Sequence, residues 1–289
     1  MPLESAKVEV SQVLVEALNS LDDNGVAVWS NESIYEKPLL YVHALQEAQS
    51  KLGINVVVVA YVRAIKSYVA SAYKQWGVRH KTYSGSVVGF AEWVGRQTKF
   101  LSYGAALKIW EDAFTSNFKL FNYDVLDDVR ISFMQLIPGC EDMLPPALQA
   151  KDNASPGDLH LALYALYNSL FAESVLPIDV ASLISRNKLA HGGMLEGSLA
   201  KLYPSGQELD DAIALFTKDQ EIANQILSSK QQPLLQNSLA SSQPSVASSA
   251  DDATLNNGVL SLLIAIAVEQ EKRIVSLETL VATLVKKRV

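Results

Sequence analysis

Residues 4–228 form a succession of helix-length segments closed by glycine, proline or small polar clusters, and that punctuation restricts the chain to a helical fold. Helices are predicted over 4–21, 38–52, 87–99, 103–116, 125–136, 156–172, 178–191 and 207–228. The run Val56-Val57-Val58-Val59-Ala60-Tyr61-Val62 has strand-like residues. Because Tyr61, Ile65, Tyr68, Val69 and Tyr73 continue it at helical spacing, one buried helix to about Trp76 is predicted, followed by a polar loop over 77–86. The expected fold class is all-α. Pro138-Gly139 and Pro145-Pro146 divide it into an N-terminal helical lobe over 1–137 and a C-terminal lobe over 138–227.

Beyond Ser228 the composition changes to Ser, Gln, Ala, Asn and Pro, so 228–257 is predicted to be a flexible linker with too little apolar surface to offset ordering entropy. Residues 258–289 then carry Leu260, Leu263, Ala267, Gln270, Ile274, Leu277, Val281 and Leu284 at alternating three- and four-residue steps. That is a heptad seam, expected on an association helix that docks on another chain or back on its own body. Charged residues make up 19% of the chain, low enough to suit a protein that buries surface against copies of itself.

One cysteine, Cys140, cannot form an internal disulfide, and the apolar runs are too short to span a bilayer, so a soluble cytosolic protein is expected. His43, His80, His160 and His191 are scattered, and no phosphate-binding glycine loop or nucleophile elbow is present. No metal or other cofactor is therefore expected.

The net charge of −7 is unevenly spread. Between Arg63 and Lys108 lie eight bases and one acid, a local +7, which leaves −14 for all remaining residues. Interleaved with these cations are Tyr68, Tyr73, Trp76, Tyr83, Phe90, Trp93, Phe100 and Tyr103. Cations alternating with aromatic faces can hold phosphates while stacking bases without reading sequence. The alternative is that the aromatics are core and the cations a solvated face. Single-stranded RNA is the expected partner, with Arg63, Lys66, Lys74, Arg79, Lys81, Tyr83, Arg96 and Lys99 as binding residues. A helical body, a basic aromatic strip, a flexible arm and a terminal association helix resemble the general plan of viral nucleocapsid or filamentous coat proteins. That resemblance implies a self-assembling protein that coats RNA, in the cytoplasm or in a virion.

A second resemblance lies in the stretch Ile184-Ser185-Arg186-Asn187-Lys188-Leu189-Ala190-His191-Gly192-Gly193. Its Arg-Asn-x-x-Ala-His-Gly pattern looks like the signature of HEPN-domain ribonucleases. The resemblance implies a metal-independent endoribonuclease working as a dimer, with His191 acting on the RNA 2′-hydroxyl, Arg186 on the scissile phosphate and Asn187 in the polar position. The same residues also suit a helix C-terminus: Lys188 and His191 favour the negative dipole end and Gly192 stops the helix. Residues 158–227 hold nine acids and four bases, poor surroundings for RNA phosphates, so no catalytic residue is assigned and the coat-like reading is preferred.

Overall fold

The structure is a computed structural model that describes residues 3–19, 21, 25–30, 34–35, 37–140, 158–169, 172–176, 204–237, 263, 266–267, 270 and 272–281. The predicted linker, apart from its first ten residues, and the Arg186, Asn187 and His191 motif lie outside the described residues. The chain is mostly helical, with one small two-stranded sheet.

The helices are α1 (Leu3–Leu18), α2 (Pro38–Leu52), α3 (Ile65–Ala72), α4 (Phe90–Arg96), α5 (Thr98–Leu101), α6 (Gly104–Phe114), α7 (Val129–Met134), α8 (Asp158–Ser169), α9 (Gly206–Leu215) and α10 (Thr217–Ser229). Residues 272–281 form a further helix, α11. Of these α2 follows its sequence signals most closely. Pro38 supplies a helical φ where no N–H partner is needed, and Gly53 ends the helix in the left-handed region at φ 66°, its N–H donating to the Gln49 carbonyl.

The predicted helix from Val56 to Trp76 is corrected. Val58–Val62 is a strand, β1, and helix begins only at Ile65. Its parallel partner β2 (Phe118–Asn122) runs in register from Val58 opposite Phe118 to Val62 opposite Asn122. The stiff β-branched side chains settle the choice once a partner strand exists. Along β2, Phe118, Leu120 and Asn122 are buried while Lys119 is exposed, the two-residue alternation of a half-covered strand. The predicted loop over 77–86 is also shortened, because a π-helical turn extends from Tyr73 to Arg79.

The chain forms two compact units, each assembled from three separated stretches: the described residues within Met1–Tyr68, Gln97–Ala150 and Asp211–Asn237 in the first, and those within Val69–Arg96, Lys151–Asp210 and Ser238–Val289 in the second. In the first unit α1 packs on α2 and α2 on α6, burying Val10, Tyr41, Val42, Leu45 and Ala48. Lys7 and Lys51 both bridge to Glu47, and these two hydrogen-bonded cations, Lys51 first, hold its carboxyl down at about 2. Helix α10 lies against α6, where Leu107, Trp110, Phe114, Ala223, Ile226 and Leu227 are buried. Their approach is so close that a Cβ on Gly104 would stand 2.8 Å from the Asp219 Cα. In the second unit the π-helical turn is packed by α8 and α4, around Tyr73, Val78, Phe90, Trp93 and Leu161.

Candidate nucleic-acid interface

The residues predicted to bind RNA divide between the units: Arg63, Lys66 and Lys99 belong to the first, and Lys74, Arg79, Lys81, Tyr83 and Arg96 to the second.

In the first unit Arg63 and Lys66 flank the start of α3, where helical geometry leaves backbone N–H groups without partners. Three side chains satisfy them in succession. The N–H of Ala64 donates to Asp124 Oδ2 at 2.8 Å, that of Ile65 to Gln220 Oε1 at 3.0 Å, and that of Lys66 to Asn237 Oδ1 at 3.3 Å. Asp124 also accepts from Arg63 Nε at 3.0 Å and from the Ser67 hydroxyl, and the Arg63 guanidinium stands 5.2 Å from the Tyr123 ring centre. Buried Asn122, the last residue of β2, accepts the Asp124 N–H and donates to the Leu234 carbonyl. This helix start is thus filled by protein groups, and the Arg63 charge is answered by a carboxylate. Lys99 is exposed on the short α5.

The second unit differs. Its π-helical turn, Tyr73-Lys74-Gln75-Trp76-Gly77-Val78-Arg79, carries Lys74, Trp76 and Arg79, each half-buried. The extra residue of a π turn widens the helix, a rare geometry that recurs at functional sites. Here the widening coincides with an aromatic cluster. Tyr73 is fully buried, packs edge-on against Phe90 and tilted against Trp93, and donates its hydroxyl to the Val88 carbonyl at 2.7 Å. A Cβ on Gly77 would fall 2.4 Å from the Tyr73 ring and 3.2 Å from Trp93, so the turn passes these rings only because residue 77 lacks a side chain. Buried Asn168 of α8 donates its amide N–H groups to the carbonyls of Val78 and Arg79, satisfying two acceptors at the end of the turn.

Around this frame the cations sit differently from one another. Arg79 donates to the neutral amide of Gln75 at 3.3 Å. His80 lies tilted against Trp76 with ring centres 5.2 Å apart, and burial, aided by the neighbouring Arg79 charge, pushes its imidazole below its ordinary value. Lys81 is fully buried: its ammonium donates to the Gly85 carbonyl, its own carbonyl accepts the Val175 N–H at 3.0 Å, and burial lowers its pKa. It therefore acts within the fold, as the clamp of the 81–85 loop. Tyr83 donates to the Gly77 carbonyl at 2.8 Å and accepts the Val88 N–H at 3.1 Å, while Arg96, paired with Glu92, lies 5.9 Å from its ring centre.

Sequence reasoning missed the roles of Asp124, Gln220, Asn237 and Asn168. Each acts on backbone far away in the chain, and the one local signal was Asn122-Tyr123-Asp124 after the alternating Phe118-Lys119-Leu120-Phe121. Among the described residues no group of three His, Cys, Asp or Glu side chains is placed to hold a metal ion, and no helix is long and apolar enough to cross a membrane. The chain matches no protein-family model, and no curated protein and no solved structure shows significant similarity to it.

Proposed function

We propose that this protein binds single-stranded RNA without reading its sequence and coats it as a self-assembling, nucleocapsid-like structural protein. The observation that carries this reading is the π-helical turn: it carries Lys74, Trp76 and Arg79, with the His80 ring tilted against Trp76, inside the stretch whose local charge is +7. Cationic groups there neutralise phosphates, releasing counterions, while the Trp76 and His80 rings offer faces on which bases stack. In the first unit Lys99 is a further exposed cation, whereas Lys81 and Tyr83 support the loop of the second unit from within.

The test begins with purified protein: the ratio of absorbance at 260 and 280 nm, the size-exclusion mass, and binding of labelled oligouridine across a salt series. The expected outcome is large nucleic-acid-containing particles and RNA that keeps its length. Arg79→Ala weakens oligouridine binding several-fold and reduces the log–log salt slope by about 0.7, the value for one phosphate contact on a single strand. Unchanged affinity and slope would remove the turn from the interface. Shortening of the RNA that disappears in His191→Ala would instead make the protein a ribonuclease.

A further inference from the structure

Every residue of α11 from 272 to 281 is exposed in the protomer. Ile274, Leu277 and Val281, the seam residues of this helix, are 49%, 60% and 57% exposed. Among the described residues 263, 266–267, 270 and 272–281, Ile266 alone is buried, and it lies outside the seam. An apolar stripe of this kind on an isolated helix loses free energy in water until another apolar face covers it.

The residues of the stripe specify what covers it. Written as heptads, the a positions are Leu260, Ala267, Ile274 and Val281, and the d positions Leu263, Gln270, Leu277 and Leu284. In the last two heptads β-branched residues occupy a and leucines occupy d, the combination that packs best as two parallel strands, because the Cα–Cβ bonds meet the facing hole at different angles in the two layers. The flanking charges agree. Arg273 occupies g and Glu278 the following e, five residues on. In a parallel, in-register pair, g of one helix faces the next e of its partner, so Arg273 of each copy meets Glu278 of the other on both sides of the seam. An antiparallel pair sets g against g and e against e, bringing like charges together. Gln270 at d adds a polar layer that is satisfied when it meets its own copy, which penalises shifted registers.

We infer that α11 is a dimerisation element, joining two copies of this chain through a parallel, in-register, two-stranded coiled coil centred on Ile274, Leu277 and Val281. The inference does not depend on RNA binding. It gives the assembly a two-fold unit.

The test uses the full chain, nuclease-treated, with mass measured by light scattering and sedimentation. Ile274→Asp with Leu277→Asp is expected to lower the mass about twofold while the circular dichroism of the body stays unchanged, since both side chains are exposed in the protomer. In a Cys140→Ser background, Leu277→Cys should form an intermolecular disulfide under mild oxidation, because d faces d only in a parallel register. Arg273→Glu and Glu278→Arg, each made alone, should loosen the dimer, and the two together should restore it. Absence of the disulfide, or a double reversal no tighter than either single one, would overturn the inference. Oligouridine affinity per protomer for a short RNA should be the same in all these variants, so a failure of the dimer and a failure of the RNA reading are distinguishable.

Discussion

Arg63 and Arg79 belong to the same basic stretch of sequence, yet their surroundings differ. Arg63 lies at the start of α3, bonded to a carboxylate that also caps the helix, with its guanidinium over Tyr123. Arg79 ends a π-helical turn, bonded to a neutral amide and followed by a histidine whose ring is tilted against tryptophan. Around Arg63 charge is balanced locally and serves to fix β2 to the start of α3. Among the described residues Arg79 donates to a neutral amide rather than to a carboxylate, on a backbone that passes Gly77 and is bonded by Asn168. Within the run of eight cations, Arg63 and Lys81 thus serve the fold itself, one through a carboxylate and the other through a loop carbonyl.

That contrast breaks most sharply at Gly77. Gly77→Ala drives a methyl group into the buried Tyr73 ring and is expected to destabilise the second unit by about 1–3 kcal/mol, read as a drop in the thermal midpoint with loss of near-ultraviolet aromatic signal. Oligouridine binding should fall with it, since the turn that carries Arg79 would be distorted. A smaller effect is expected at the other region. Asp124→Ala removes the acceptor for the Ala64 N–H and for Arg63, lowering stability by about 1 kcal/mol by denaturant titration. RNA affinity should not fall, because the charge on Arg63 is left in place. Weaker RNA binding in that variant would put the first region into the interface and erase the distinction.

The smallest effect is a pH dependence. His80 has a folded pKa below its ordinary value near 6.5, chiefly through burial. The unfolded chain therefore takes up the proton first as pH falls. The stability contributed by neutral His80 is complete above pH 6.5, declines as pH drops from there through the folded pKa, and is flat below it. Thermal melts between pH 7.5 and 5 should show this slope in the wild type and its loss in His80→Gln.

Much of the helical frame was legible in the sequence because its signals are local. Pro38 and Gly53 mark α2, and the apolar spacing of 104–114 marks α6 within two residues at either end. The strands were not legible. Val58–Val62 satisfies a strand pattern and, with Ile65, Tyr68 and Val69, a helical one. Its partner Phe118–Asn122 enters only after the whole of α3 to α6 has intervened. Five residues are too few to show a period unless the opposite strand is known. The π-helical turn was read as the end of a helix and the beginning of a loop, since the widened geometry depends on the fit of Gly77 against two aromatic rings that the sequence places at different distances.

By itself the sequence determined a mostly helical chain, the two ends of α2, the concentration of positive charge between Arg63 and Lys108, and the heptad seam at the end. Each of these follows from neighbours within one or two helical turns, where spacing alone dictates which side chains share a face. Tertiary structure decided which of the cations are balanced, which is buried, and where helix gives way to strand. Those outcomes depend on hydrogen bonds and ring contacts between residues far apart in the chain, such as Arg63 with Asp124 and Asn168 with Val78, whose energies exist only after the backbone has brought them together.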